Sequence, residues 1–128
     1  MTTKEELFEA FGKQLIERVR DNQIHFIDGF LEQQAPSSSK YKNELDAMSP
    51  EQIEMIKALA AQWVDGTIHD LLYLLEDGKL EDSKWVRLRL ESEDTVLEDI
   101  RQAERGDLQG YIFIWAEKYS KERLSDFT

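Results

Sequence analysis

The sequence contains no cysteine, which excludes disulfide bonds and thiolate zinc sites and is compatible with a reducing cytoplasm. With only two histidines, few residues are available for general acid–base catalysis. We find no glycine-rich phosphate loop, no Gly-x-Ser-x-Gly nucleophile elbow and no Glu-x-x-His motif. These absences remove the usual signatures of nucleotide-binding enzymes, serine hydrolases and helical carboxylate metal sites, and we expect no cofactor.

Basic residues are scarce relative to acidic ones. The chain has 16 lysines and arginines against 27 aspartates and glutamates, which gives a net charge of −11. Such a surface repels nucleic-acid phosphates and anionic lipid headgroups, so we expect neither as a partner. A basic protein is the partner that this charge favours, and an ordinary solvated acidic surface is the alternative.

Long hydrophobic runs are also missing. Asp65, His69 and Asp70 interrupt the most apolar segment, so no run reaches the roughly 18 residues that a membrane span needs. The first residues are acidic and lack the layout of a secretory signal. We therefore expect a cytoplasmic protein with no membrane association. A length of 128 residues with 41% apolar composition predicts a single domain over 1–128.

The clearest local pattern predicts one long helix over residues 50–77. Ser49 suits the N-cap, Gln52 completes a capping box with it, and Pro50 fits the first helical position. Gly78 then ends the helix. Apolar residues form one stripe in its first half and surround it in the second half. We predict a mainly α fold, a single-domain helical bundle around this central helix.

A second long helix is predicted from Thr3 to about Gln34, before a proline and three serines. Its core-facing stripe should consist of Phe8, Phe11, Leu15, Val19, Phe26 and Phe30. On the opposite face, Asp21, His25 and Asp28 have a spacing that would let them share a metal ion. Because that face lies away from the apolar stripe, we favour solvation and assign no metal site.

Residues 85–90 alternate apolar and charged side chains, which predicts a small β element. A lone strand is unstable, so it needs a partner. One candidate is the segment from Asp94 to Asp99, which alternatively begins a short helix. The other candidate is a second copy of the chain, which would make a homodimer.

The C-terminal part predicts a final helix that begins after Asp107 and includes Trp115 and Tyr119. Its β-rich string leaves a strand as the alternative. We expect the tail from Lys121 onward to fray. We expect the three tryptophans to pack in the core, and any that is exposed to mark a binding surface.

Two groups of residues are candidates for function. Asp65 and His69 lie four residues apart on the long helix, which allows a general base, a metal ligand or a purely structural hydrogen bond. They define the alternative of a small enzyme or metal-binding protein. Glu91, Glu93 and Asp94 lie in the most acidic quarter of the chain, and we predict them as the docking surface for a basic protein.

Part of the sequence resembles small uncharacterised bacterial proteins of the toxin-immunity type. The resemblance lies in Val64-Asp65-Gly66-Thr67-Ile68-His69-Asp70-Leu71-Leu72, and then in Asp107-Leu108-Gln109-Gly110, Trp115 and Tyr119-Ser120. Immunity proteins neutralise toxins by binding them, commonly with an acidic surface against a basic toxin domain. The resemblance thus implies a binding role, a non-enzymatic inhibitor of a basic partner, and it assigns no catalytic residue.

Overall fold

The computed structural model describes residues 1–103 and 106–125, and 67% of the chain is helical. The mainly α prediction is confirmed, with a long central helix and a small antiparallel sheet. In chain order the elements are α1 (Lys4–Gln14), a π-helical segment (Leu15–Arg20), α2 (Asp21–Leu31), a 3-10 turn (Pro36–Tyr41), α3 (Lys42–Asp46), α4 (Pro50–Asp77), β1 (Leu90–Glu91), β2 (Val96–Leu97), 3-10 turns at Ile100–Gln102 and Leu108–Gly110, and α5 (Tyr111–Tyr119).

Helix α4 has the predicted bounds and both predicted caps. The Ser49 hydroxyl accepts from the Gln52 N–H at 3.2 Å, and the Gln52 side chain accepts from the Ser49 N–H at 2.8 Å. At the other end Gly78 has φ +71°, a conformation that favours glycine. The Arg101 side chain lies against Gly78 and donates to the Glu76 carbonyl, so a cation stabilises the negative end of the helix.

One side of the second half of α4 is open to solvent. Ile68 and Leu72 are buried in the core, whereas Leu71, Tyr73 and Leu74 are exposed. The expectation that neighbours surround this half on every side is therefore wrong. The helix is apolar around its whole circumference, yet the core covers only the side that Ile68 and Leu72 occupy.

The first long helix contains a π-helical segment that changes which residues face the core. The Asp21 N–H donates to the carbonyl of Ile16, five residues earlier, where an α-helix would bond four residues back. The extra residue moves the buried stripe along by one position, to Ile16, Arg20, Ile24 and Leu31. Two residues predicted for the core are therefore exposed, Val19 by 43% and Phe26 by 57%.

The small β element finds its partner within the chain. Leu90 pairs with Leu97 and Glu91 with Val96 in an antiparallel ladder, so of the two alternatives for the segment from Asp94 to Asp99 the structure has the short strand. The preceding residues keep the predicted alternation, with Val86 and Leu88 half-buried. The strand therefore does not need to pair with a second copy of the chain. The homodimer stays a prediction, but the unpaired strand no longer supports it.

The main core lies between α1, the π-helical segment, α4 and α5. It is formed by buried side chains from all of them and from the 3-10 turns, including Phe8, Leu15, Ile16, Ile68, Leu72, Ile100, Leu108, Ile112 and Trp115. The final segment is helical, as predicted, and not a strand. Trp115 is fully buried and its indole lies directly over Gly12, where a side chain would collide with it.

The segment after α5 packs against the helices, so the expectation that the tail frays from Lys121 onward is wrong for Lys121 to Arg123. Residues 126–128 of that tail lie outside the described residues. The Arg123 guanidinium donates to the Asp28 carboxylate at 2.6 Å and to the Lys57 carbonyl at 2.7 Å. These bonds tie the tail to both α2 and α4. No helix within residues 1–103 and 106–125 is long and apolar enough to cross a membrane.

Candidate functional site

The most elaborate polar site in the interior is built around Arg20, which the sequence did not single out. Its side chain is fully buried, and it reaches Asp65 on α4. Nε donates to Asp65 Oδ1 at 2.6 Å and Nη2 donates to Asp65 Oδ2 at 3.2 Å. This geometry matches the planar fork of a guanidinium to the two oxygens of a carboxylate.

The remaining N–H groups of Arg20 also donate hydrogen bonds. Nη1 donates to Asp21 Oδ1 at 3.2 Å and to Ser120 Oγ at 2.9 Å, and Nη2 donates to the carbonyl of Arg123 at 2.9 Å. All five N–H groups of the guanidinium therefore have acceptors. A buried charge is tolerated when it is paired and fully hydrogen-bonded, and this network meets that condition.

This network limits what Asp65 can do chemically. The sequence paired Asp65 with His69, but both carboxylate oxygens accept hydrogen bonds from Arg20 instead. The Asp65 side chain is also buried, with 1% exposure, so it lies out of reach of solvent. Asp65 thus links two helices, and its position suits a structural role.

His69 lies one turn beyond Asp65 on α4 but contacts a different element, α5. Its Nδ1 lies 3.4 Å from Asp70 Oδ1, and its ring centroid lies 6.3 Å from that of Phe113. The neighbouring Asp70 side chain is exposed. The contacts of His69 and Asp65 thus connect them to different parts of the fold.

The polar face predicted for Asp21, His25 and Asp28 is divided by the structure. Asp21 is buried against Arg20, where its Oδ2 also accepts from the Lys121 N–H at 2.8 Å. Asp28 holds the guanidinium of Arg123, and His25 is exposed. Within residues 1–103 and 106–125, no group of three or more His, Asp or Glu side chains is arranged to hold a metal ion.

The predicted acidic docking residues lie on the β1–β2 hairpin, with Glu91 in β1 and Glu93 and Asp94 in the connecting turn. Glu91 pairs with Arg89 at 3.1 Å, and Glu93 is exposed at the tip. Asp94 differs from them, because it accepts hydrogen bonds from the Ser92 hydroxyl at 2.8 Å and from the Thr2 N–H at 3.0 Å. These bonds, the one from Ser92 first, lower the pKa of Asp94. Asp94 therefore anchors the N-terminus as well as adding charge.

The three tryptophans do not share one environment. Trp115 is fully buried, as predicted, whereas Trp63 is 66% exposed and Trp85 is 67% exposed. The prediction of core packing is wrong for these two. Trp85 belongs to the extended segment before β1, and Trp63 belongs to the middle of α4. Exposed tryptophans are the side chains that most often dominate protein–protein binding energy.

Trp63 borders an apolar groove between the first long helix and α4. The groove has a volume of about 330 Å³. Its lining comes from the π-helical segment, α2 and α4, namely Val19, Gln23, Ile27, Ala60, Trp63, Val64, Thr67 and Ile68. The floor contains the small side chain of Ala60, so the two helices leave a depression between them. Its apolar walls are suited to an apolar side chain of a partner.

Comparison of the chain with models of known protein families, with curated proteins and with solved structures gives no match.

Proposed function

We propose that this protein is a non-enzymatic binding protein that captures a basic partner protein, in the manner of an immunity-type inhibitor. The observation that carries the proposal is the exposure of Trp63 and Trp85 on a chain with a net charge of −11. Burial of exposed indoles supplies affinity, and the acidic surface attracts a basic partner and speeds its encounter.

The interior network supports a binding role over the enzyme alternative. Asp65 is the carboxylate of the predicted catalytic pair; it is buried, and both its oxygens accept hydrogen bonds from Arg20. A general base must lie within hydrogen-bond reach of a substrate proton, and a carboxylate that is 1% exposed does not. The contacts of Asp65 therefore favour a structural role.

The test begins with co-purification of a basic protein from the native cells, followed by association rates at about 50 and 500 mM salt. We expect the association rate to fall steeply as salt rises, because electrostatic steering is screened. A rate that does not change with salt would contradict the electrostatic part. Failure to recover any basic partner would contradict the function itself.

Charge reversal locates the docking surface. The double variant Glu91→Lys/Glu93→Lys should slow capture while the domain stays folded, since both side chains are exposed. Asp94 is left unchanged because it anchors Thr2. Glu44→Lys/Glu117→Lys is the matched control, with the same change in net charge at exposed positions on α3 and α5. Equal slowing by both variants would remove the hairpin as the docking surface.

A further inference from the structure

The groove beside Trp63 is one part of a longer apolar surface on α4. Trp63, Thr67, Leu71 and Leu74 follow one another at steps of four, four and three residues, which places them on one side of the helix. Trp63, Leu71 and Leu74 are all exposed. From Trp63 to Leu74 the surface extends for about 16 Å, or roughly three helical turns.

The opposite wall of the groove exists because of the π-helical segment. In an uninterrupted α-helix, Val19 and Phe26 would continue the buried stripe of Leu15. The one-residue shift buries Arg20 in their place, and it leaves Val19 and Phe26 exposed on the first long helix. The apolar residues predicted for the core thus become available on the surface, where Val19 lines the groove.

We infer that this groove binds the apolar face of a cationic amphipathic helix of the partner, an inference that rests on the proposed function. The α4 surface from Trp63 to Leu74 is about three turns long, and the facing residues Val19, Gln23 and Ile27 span about two turns of the first long helix. A groove between two helices suits the helix-in-groove mode of recognition. The acidic charge of the protein predicts that the polar face of the bound helix is basic. Asp70 is exposed two turns from Trp63 on the same side of α4, and the whole chain carries −11.

The same charge argues against a second copy as the occupant. Two copies are two molecules that each have a net charge of −11, and like charges oppose association. A helix with lysines or arginines beside its apolar stripe has the opposite charge. It is attracted to the acidic surface and can then bury its apolar side chains against Trp63 and Val64.

The probe is a synthetic peptide of about 18 residues with leucines on one helical face and lysines on the other. We expect it to bind and to shift the fluorescence of Trp63. Trp63→Ala should weaken binding by about tenfold or more, because tryptophan anchors carry much of an interface energy. Met55→Ala is the matched control, since Met55 is 57% exposed on the same helix but does not line the groove, and it should leave the affinity for the peptide unchanged.

Several results would overturn the inference. One is equal binding of a scrambled peptide, and another is equal binding of a peptide with glutamates in place of the lysines. A third is equal weakening of binding by Trp63→Ala and Met55→Ala. Dimerisation of the protein that Trp63→Ala abolishes would assign the groove to a second copy instead. If the native basic partner bound Trp63→Ala normally but Glu91→Lys/Glu93→Lys slowly, the groove inference would fail while the proposed function stood.

Discussion

Arg20 and Asp65 lie 45 positions apart in the sequence and form a two-pronged ion pair in the interior, with Nε–Oδ1 at 2.6 Å and Nη2–Oδ2 at 3.2 Å. The pair joins the π-helical segment to α4, and Ser120 and the Arg123 carbonyl join the C-terminal segment to it. One guanidinium therefore connects three parts of the chain. Because the Arg20 guanidinium is fully buried, its charge is stabilised by these protein groups and not by bulk water.

Asp65→Asn should destabilise the protein by about 3–5 kcal/mol, because it leaves the buried guanidinium of Arg20 without its countercharge. The free energy of unfolding is measured with urea. Asp70→Asn is the control on the same helix, and its exposed side chain predicts a change within about 0.5 kcal/mol. Equal effects of the two substitutions would contradict the buried ion pair.

The sequence predicted α4 well because its signals are local. Ser49, Gln52 and Gly78 each act on the backbone within one turn of the helix, so no knowledge of tertiary structure was required. The alternation before β1 is local in the same sense, and it indicated which side chains point inward.

The π-helical segment could not be predicted in this way. No residue in Leu15–Arg20 indicates a π-helix, and the same sequence is compatible with a regular α-helix that buries Leu15 and Val19. The shift is stabilised by contacts of Arg20 with Asp65 and Ser120, which are distant in the sequence. For the same reason the sequence marks Asp65 as a candidate functional residue but suggests His69, four residues away, as its partner. The packing of the C-terminal segment against the helices could not be predicted, because its polar residues are equally typical of a solvated terminus.

Gly12→Ala should destabilise the protein by about 1–3 kcal/mol through overpacking. A Cβ at Gly12 would lie 2.5 Å from Nε1 of Trp115 and closer still to two of its ring carbons. Gly66→Ala is the matched control, since that glycine lies within α4 and a Cβ there meets nothing within 4 Å. It should stabilise the helix by about 0.5–1 kcal/mol. Thermal unfolding of both variants tests the pair, and the same sign for both would contradict the packing of Trp115.

Asp99 should contribute stability that is lost in acid. Its hydrogen bonds from the Arg101 guanidinium, at 2.5 to 3.1 Å, hold the pKa of Asp99 below its ordinary value. Because the folded pKa is lowered, the contribution is present above the unfolded pKa of about 3.9 and disappears as the pH falls through the folded value.

Urea unfolding at several pH values tests this contribution. Asp99→Asn should be less stable than the wild type at neutral pH, and the difference should shrink below about pH 4. Asp82→Asn, at an exposed position, is the control and should follow the wild type at every pH. A difference between Asp99→Asn and the wild type that persisted undiminished in strong acid would contradict the ion pair with Arg101.

Arg123→Ala should release the C-terminal segment from the helices. It removes the bonds to the Asp28 carboxylate and the Lys57 carbonyl, and it should cost about 1–3 kcal/mol. Hydrogen exchange of the backbone from Ser120 to Ser125 should accelerate. Lys121→Ala is the control, because the Lys121 side chain is exposed and only its backbone N–H bonds Asp21. Unchanged protection in Arg123→Ala would mean that the side chain does not hold the tail.

The tryptophan environments predict a distinctive fluorescence response. Trp63 and Trp85 are about two-thirds exposed and Trp115 is fully buried, so a soluble quencher should reach the first two only. The double variant Trp63→Phe/Trp85→Phe should therefore emit at shorter wavelength and resist quenching by acrylamide, whereas Trp115→Phe should remain readily quenched. Because both replaced indoles lie largely in water, the double variant should keep its stability within about 1 kcal/mol. Strong quenching of the double variant would place Trp115 outside the core, and strong destabilisation would mean that the two exposed indoles are needed for folding rather than free to bind a partner.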